Sequence, residues 1–207
     1  MFGYKNYEFI FPYSDIHGLL YFDNAIEDGK TRTEGICLEL VELNSHDAII
    51  DIGAHYGLYS YIFGILNPKI NLVCFEPNEY NRTVLKTNLL EKNIQATIRE
   101  EDVFNQTETV TFFEDQNTIG SNKDTAEPDN STRFAKVERP AISISEFISK
   151  SDFRRPFVKI DAEEAEDYIL KDLLEWDDFD ELAGIVEIHE DRISGSSGEI
   201  LDYMNKM

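Results

Sequence analysis

The chain has 207 residues, 41 of them acidic and 19 basic, for a formal charge of −22 at pH 7. That length suits one domain, or one plus a small appendage, and 42% hydrophobic with 12% aromatic residues argues against global disorder. The charge makes nucleic acids and anionic membrane surfaces poor partners, because the summed field repels them; neutral or cationic ligands, or one anion in a local nest, stay open.

Residues 1–32 are irregular and rich in aromatics (Phe2, Tyr4, Tyr7, Phe9, Phe11, Tyr13, Tyr21, Phe22). They read as a cap over one sheet edge rather than as a signal peptide, since no basic stretch precedes an apolar run. A helix is expected over 33–43. Ala48–Ile52, a β-branched burst closed by Gly53, reads as a buried strand. The alternation continues with a helix over 57–66, a strand over 70–75, a helix over 80–92 and a strand over 96–99. Residues 108–114 alternate like a half-exposed antiparallel strand, and the polar run over 114–133 reads as a loop, a lid or a disordered insertion. Strands over 157–161 and 184–188 flank a helix over 163–175, whose acidic end (175–181) reads as a solvated turn around aromatics, and a last helix is expected over 198–207. Strand, helix, strand at this spacing gives an α/β fold, doubly wound, with a mostly parallel Rossmann-like sheet.

Cys37 and Cys74 lie in apolar segments without a CxxC spacing, so both are expected as reduced, buried thiols in a cytoplasmic protein. The longest nearly apolar run, nine residues, is too short for a membrane span. The sequons at Asn81, Asn105 and Asn130 carry no weight in a cytosolic chain.

The segment Asp51-Ile52-Gly53-Ala54-His55-Tyr56-Gly57 joins a predicted strand to a predicted helix, where small residues let backbone approach a ligand. Glu76 follows the second strand, where an acid accepts hydrogen bonds from an adenosine ribose. A dinucleotide site wants G-x-G-x-x-G; here His55 fills the second glycine's place, crowding a pyrophosphate, and Asp51 repels phosphate but suits a cationic ligand. S-adenosylmethionine, with a ribose, no phosphate and a sulfonium charge, fits better than a nicotinamide dinucleotide.

Four segments, D-I-G-A-H-Y-G, V-C-F-E-P-N, F-V-K-I-D-A-E-E-A-E and G-I-V-E-I-H, resemble successive signatures of FkbM-type methyltransferases, a branch of the class I S-adenosylmethionine-dependent enzymes. R-P-A-I-S-I-S-E-F-I is similar to the short strand and helix before that family's fourth motif. The resemblance, over about 33–190, implies methyl transfer to a hydroxyl, commonly on a sugar or polyketide. It puts Asp51, Gly53, Ala54 and Gly57, with His55 and Tyr56 in the same turn, around the methionine part. Glu76 then holds the ribose, Pro77 and Asn78 shape its turn, Asp102 reads the adenine amino group and Val103 packs on the ring. The chain departs from the pattern at His55, usually Asn, and at Glu164, usually Gly. The last two strands of the class have no counterpart in the sequence, as in a short member or a module of a longer polypeptide.

Transfer to an alcohol needs its oxygen aligned and its proton removed. The candidates are Asp161, His189, Lys159 and Glu163, with His55 beyond them. No metal is expected, because Glu187, His189, Glu190 and Asp191 lack regular ligand spacing. The expectation is an S-adenosylmethionine-dependent O-methyltransferase domain over 33–207 acting on a sugar or glycan hydroxyl, a deoxyhexose such as rhamnose or fucose. The alternatives are a polyketide or lipid-linked acceptor, or a non-catalytic cofactor- or glycan-binding module. In the last case it serves a fused or associated glycosyltransferase.

Overall fold

A computed structural model describes residues 2–4, 7–9, 46–115, 134–162, 165–176 and 178–187. The expectations for 10–45, the polar run beyond 115, Glu163, Glu164, His189 and the last helix lie outside the described residues. β1 (Phe2–Tyr4) and β2 (Tyr7–Phe9) form an antiparallel pair of their own.

The central sheet holds β3 (Ala48–Ile52), β4 (Asn71–Phe75), β5 (Thr97–Arg99), β9 (Pro156–Ile160) and β10 (Ala183–Val186), all parallel, in the order β10-β9-β3-β4-β5. Every residue of β3 and β9 is buried, which is why their runs are apolar on both faces, where a one-faced sheet would alternate, except at the paired Asp51 and Lys159. The two faces still differ. Ile49, Leu72, Cys74 and Phe157 pack against α1 (Leu58–Leu66) and α2 (Glu79–Glu91). Ile50, Ile52, Val73, Phe75, Val158 and Ile160 pack against α3 (Ile144–Ser149) and α4 (Glu166–Glu175). Helices on both faces of a parallel sheet confirm the doubly wound reading. Among the described residues no strand follows β10.

Two helix starts follow from local chemistry. Asn78 caps α2, its side chain accepting from the N–H groups of Tyr80 and Asn81. Ser143 caps α3 by accepting from Glu146 N–H, and a serine followed three residues later by a glutamate is a helix-start signature.

A second, small sheet was only half legible. The alternating segment is β7 (Glu108–Asp115), paired antiparallel with β8 (Phe134–Ser143), and β8 pairs parallel with the three-residue β6 (Asp102–Phe104). The acidic turn after α4 is solvated as expected and also anchored. Arg154 Nη1 lies 2.9 Å from Asp178, Arg155 Nε lies 3.4 Å from Glu181, and the Arg154 carbonyl accepts from Asp180 N–H.

Candidate functional site

The strand order reverses direction of growth between β3 and β9, and in open α/β sheets ligands bind beyond the strands' carboxyl ends at such a point. The chain between β3 and α1 makes a tight turn there. The N–H groups of Gly53 and Ala54 both donate to the Phe75 carbonyl, at 3.0 and 2.9 Å, and Gly57 N–H donates to the Ala54 carbonyl at 2.7 Å. Three of its residues have left-handed backbone: Gly53 (φ 71°), His55 (φ 50°) and Gly57 (φ 86°).

Both glycines are demanded by the chain itself. A Cβ on Gly53 falls 1.7 Å from the Asp161 carbonyl oxygen, and one on Gly57 falls 2.3 Å from a Leu85 methyl. Their smallness serves the seating of β3 against β9 and of α1 against α2. His55 stands where the resembling family has Asn, and both types tolerate φ > 0 better than most side chains. The His55 ring stacks on Tyr56, centroids 3.9 Å apart, and the buried Tyr56 carbonyl accepts from Asn88 Nδ2 at 2.9 Å.

Glu76, at the end of β4, is buried and ties the turn to α2. Its Oε2 accepts from His55 N–H at 2.8 Å, and its Oε1 accepts from Asn78 N–H at 3.0 Å and Asn81 Nδ2 at 3.2 Å. Its own N–H donates to the Arg99 carbonyl, bringing the end of β5 alongside. Asn81 is a residue the sequence reading missed: it was noticed as a sequon, yet it is buried on a carboxylate. Pro77 and Asn78 form the turn below, and Arg82 Nη1 donates to the carbonyls of Glu76 and Pro77.

Asp51 is fully buried on the α1 face of the sheet. There its Oδ2 accepts from Ser60 Oγ at 2.5 Å, and its Oδ1 lies 3.3 Å from Lys159 Nζ. Register explains the cluster, because Cys74, Asp51 and Lys159 are directly paired across β4, β3 and β9. Ser60 Oγ also lies 3.1 Å from Cys74 Sγ, and burial, helped by the Asp51 charge, pushes the Cys74 thiol far above its ordinary range. Lys159 Nζ further lies 3.3 Å from Asp161 Oδ2 and donates to the Gly53 carbonyl at 3.0 Å. Asp161 caps β9, with one-fifth of its side chain exposed beside the Gly53 turn.

Asp102 and Val103 belong to β6, outside the central sheet, and both are buried. Asp102 Oδ1 lies 4.0 Å from Arg139 Nη1, a partner supplied by β8 and invisible in sequence because that pairing is long-range. The structure thus brings the 53–57 turn, Glu76–Asn78, Lys159 and Asp161 together.

The methyltransferase FkbM domain model matches residues 51–207. The chain belongs to the FkbM methyltransferase family. Among solved structures it is similar to precorrin-6y C5,15-methyltransferase from Geobacter metallireducens, at 13% identity over 86% of this chain and 70% of that one, with a TM-score of 0.50. It is also similar to a putative O-methyltransferase from Klebsiella pneumoniae, at 12% identity over 72% of this chain and 53% of that one, with a TM-score of 0.41. A third match is the Pyrococcus abyssi tRNA (uracil-54, C5)-methyltransferase in complex with S-adenosyl-L-homocysteine, at 12% identity over 69% of this chain and 25% of that one, with a TM-score of 0.37. The chain therefore spans little more than half of the second protein and a quarter of the third. A search of curated protein sequences returns no match.

The FkbM methyltransferase family uses S-adenosylmethionine, and the residues present suit it. Around the turn stand three carboxylates, Asp51, Glu76 and Asp161, against one ammonium, Lys159. That donor set disfavours a pyrophosphate and favours a cationic, phosphate-free cofactor.

Proposed function

We propose that this FkbM methyltransferase transfers a methyl group to a hydroxyl of a carbohydrate, a glycan or a deoxyhexose such as rhamnose or fucose. Bound S-adenosylmethionine supplies the electrophilic methyl group. The observation that carries the reading is Asp161: a carboxylate at the carboxyl end of β9, against the Gly53 turn, with its outer edge in water. A carboxylate there can take the acceptor's hydroxyl proton as the new oxygen–carbon bond forms. Its ion pair with Lys159 fixes the orientation such a base requires. Lys159 serves as the cation of the pair, because its Nζ already donates to a carbonyl and faces two carboxylates. The turn and Glu76–Asn78 hold the methionine and ribose parts.

Two features support a neutral polyol as acceptor. The acidic rim and the chain's charge of −22 repel phosphorylated substrates. Tyr168, in the first turn of α4 and partly exposed, lies against Phe104 with ring centroids 4.6 Å apart, a face of the kind that stacks on sugar rings. A reducing, cytoplasmic setting agrees with the free, buried Cys74, and a glycosyltransferase acting on the same glycan is the natural partner. No helix among the described residues is long and apolar enough to cross a membrane.

Calorimetry with S-adenosylhomocysteine, with NAD as control, followed by mass spectrometry of rhamnose- and fucose-bearing acceptors, tests the proposal. Binding of the first ligand alone, a mass gain of one methyl group, and loss of turnover with retained binding in Asp161→Asn are the expected results. Methylation of a polyketide hydroxyl in place of sugars replaces the acceptor; full turnover in Asp161→Asn removes the base.

A further inference from the structure

The ammonium of Lys159 is surrounded by oxygen. Asp51 Oδ1 and Asp161 Oδ2 each lie 3.3 Å away, and the carbonyls of Gly53 and Ile52 accept from it at 3.0 and 3.4 Å. The ring of Tyr59 closes the remaining side, its centroid 4.9 Å from Nζ, and only 4% of the side chain is exposed. A lysine so buried is held there by its partners, since an unpaired ammonium in that layer costs several kcal/mol. Its carbonyl contacts fix the start of the Gly53 turn; its carboxylate contacts fix Asp161 and cancel part of the negative potential at the switch point. With Glu76 included, these four side chains carry a formal charge of 1 − 3 = −2.

We infer that Lys159 is a positioning residue that also sets charge selectivity: it ties Asp161 to the Gly53 turn and tempers the site's preference for the sulfonium cofactor over its neutral product. This rests on the reading that the cofactor lies at this turn. S-adenosylmethionine and S-adenosylhomocysteine differ by one methyl group and one unit charge, so the ratio of their affinities reports the local potential. Loosening of the turn weakens both ligands alike and leaves the ratio unmoved. Removing the ammonium makes the potential more negative; removing a carboxylate makes it more positive.

The test is calorimetric titration of the full chain with each ligand, for wild type, Lys159→Met, Asp51→Asn and Asp161→Asn. The affinity ratio of S-adenosylmethionine to S-adenosylhomocysteine rises at least about threefold in Lys159→Met and falls by a similar factor in the two Asn variants, the effect of one unit charge in a partly solvated site. If Lys159→Met does not fold, Lys159→Gln, whose NH2 can still donate to the Gly53 carbonyl, carries the same test. Ratios equal to wild type in every folded variant overturn the inference. Failure of the wild type to bind either ligand overturns the reading of the site instead.

Discussion

Replacing Glu76 by Gln separates the task the structure gives it, holding the turn, from the one proposed for it, holding a ribose. The carboxylate accepts three hydrogen bonds from the chain, two on Oε1 from Asn78 N–H and Asn81 Nδ2, and one on Oε2 from His55 N–H. A glutamine offers one oxygen and one NH2. With its oxygen toward His55, the NH2 group meets Asn78 N–H; Asn81 can turn its buried, unbonded Oδ1 toward it, but Asn78 cannot adapt. With its oxygen toward Asn78, the NH2 group meets His55 N–H. Either way one backbone donor loses its partner, costing about 1–3 kcal/mol. Exchange of charged for neutral acceptors at the other bonds adds a loss of about 1 kcal/mol. Urea denaturation therefore gives a stability lower by about 2–4 kcal/mol, and calorimetry on the folded protein gives S-adenosylhomocysteine affinity lower by a factor of at least ~10, the worth of one charge-assisted bond. A stability change under about 0.5 kcal/mol, within the range of ordinary surface substitutions, would refute the bonding argument. A weakened fold with unchanged affinity would leave Glu76 as a scaffold residue only.

Gly53→Ala puts a Cβ 1.7 Å from the Asp161 carbonyl and forces alanine to φ 71°; it should abolish cofactor binding and lower the melting temperature, and a wild-type melt disproves the close approach. At His55, where φ is 50°, substitution by Asn should leave stability and cofactor affinity near wild type, whereas Val should cost about 1–2 kcal/mol in chemical denaturation; equal effects discount the backbone argument. Burial raises the Cys74 pKa above its ordinary 9.0, so the unfolded chain ionises first as pH rises. The stability it confers is complete below about pH 9 and is lost at higher pH, so the alkaline loss seen in melting curves should shrink in Cys74→Ala. An unchanged alkaline limb denies Cys74 that role.

The alternation of apolar runs was enough to find the central sheet, because strands buried on both faces and short amphipathic helices carry strong periodic signals. β4, α2 and β9 begin within a residue of expectation for that reason. Gly53 and Glu76 were legible because strand ends and turn chemistry are local. What each does was less legible. The partner of Asp51 was not legible, because only the pairing of β3 with β9, more than a hundred residues on, puts Lys159 beside it. β6 has three residues and no periodicity of its own, so the partnership of Asp102 with Arg139 rests on a register that sequence spacing does not encode. Ser60 and Asn81 stood in the open, a hydroxyl inside an apolar run and an amide at a helix start, but their buried partners lie on other elements.

The seating of Gly53 on the Asp161 carbonyl and of Gly57 on Leu85 has an evolutionary corollary. Selection on folding alone preserves both glycines, so a descendant that has lost its chemistry would still display the G-x-x-x-G signature intact. Drift in such a lineage would show first at the Asp161 carboxylate, one-fifth exposed and tied to the core only through Lys159. As the proposed base, that carboxylate, rather than the glycine pattern, is the position to inspect when sorting working enzymes from retired ones among the chain's kin.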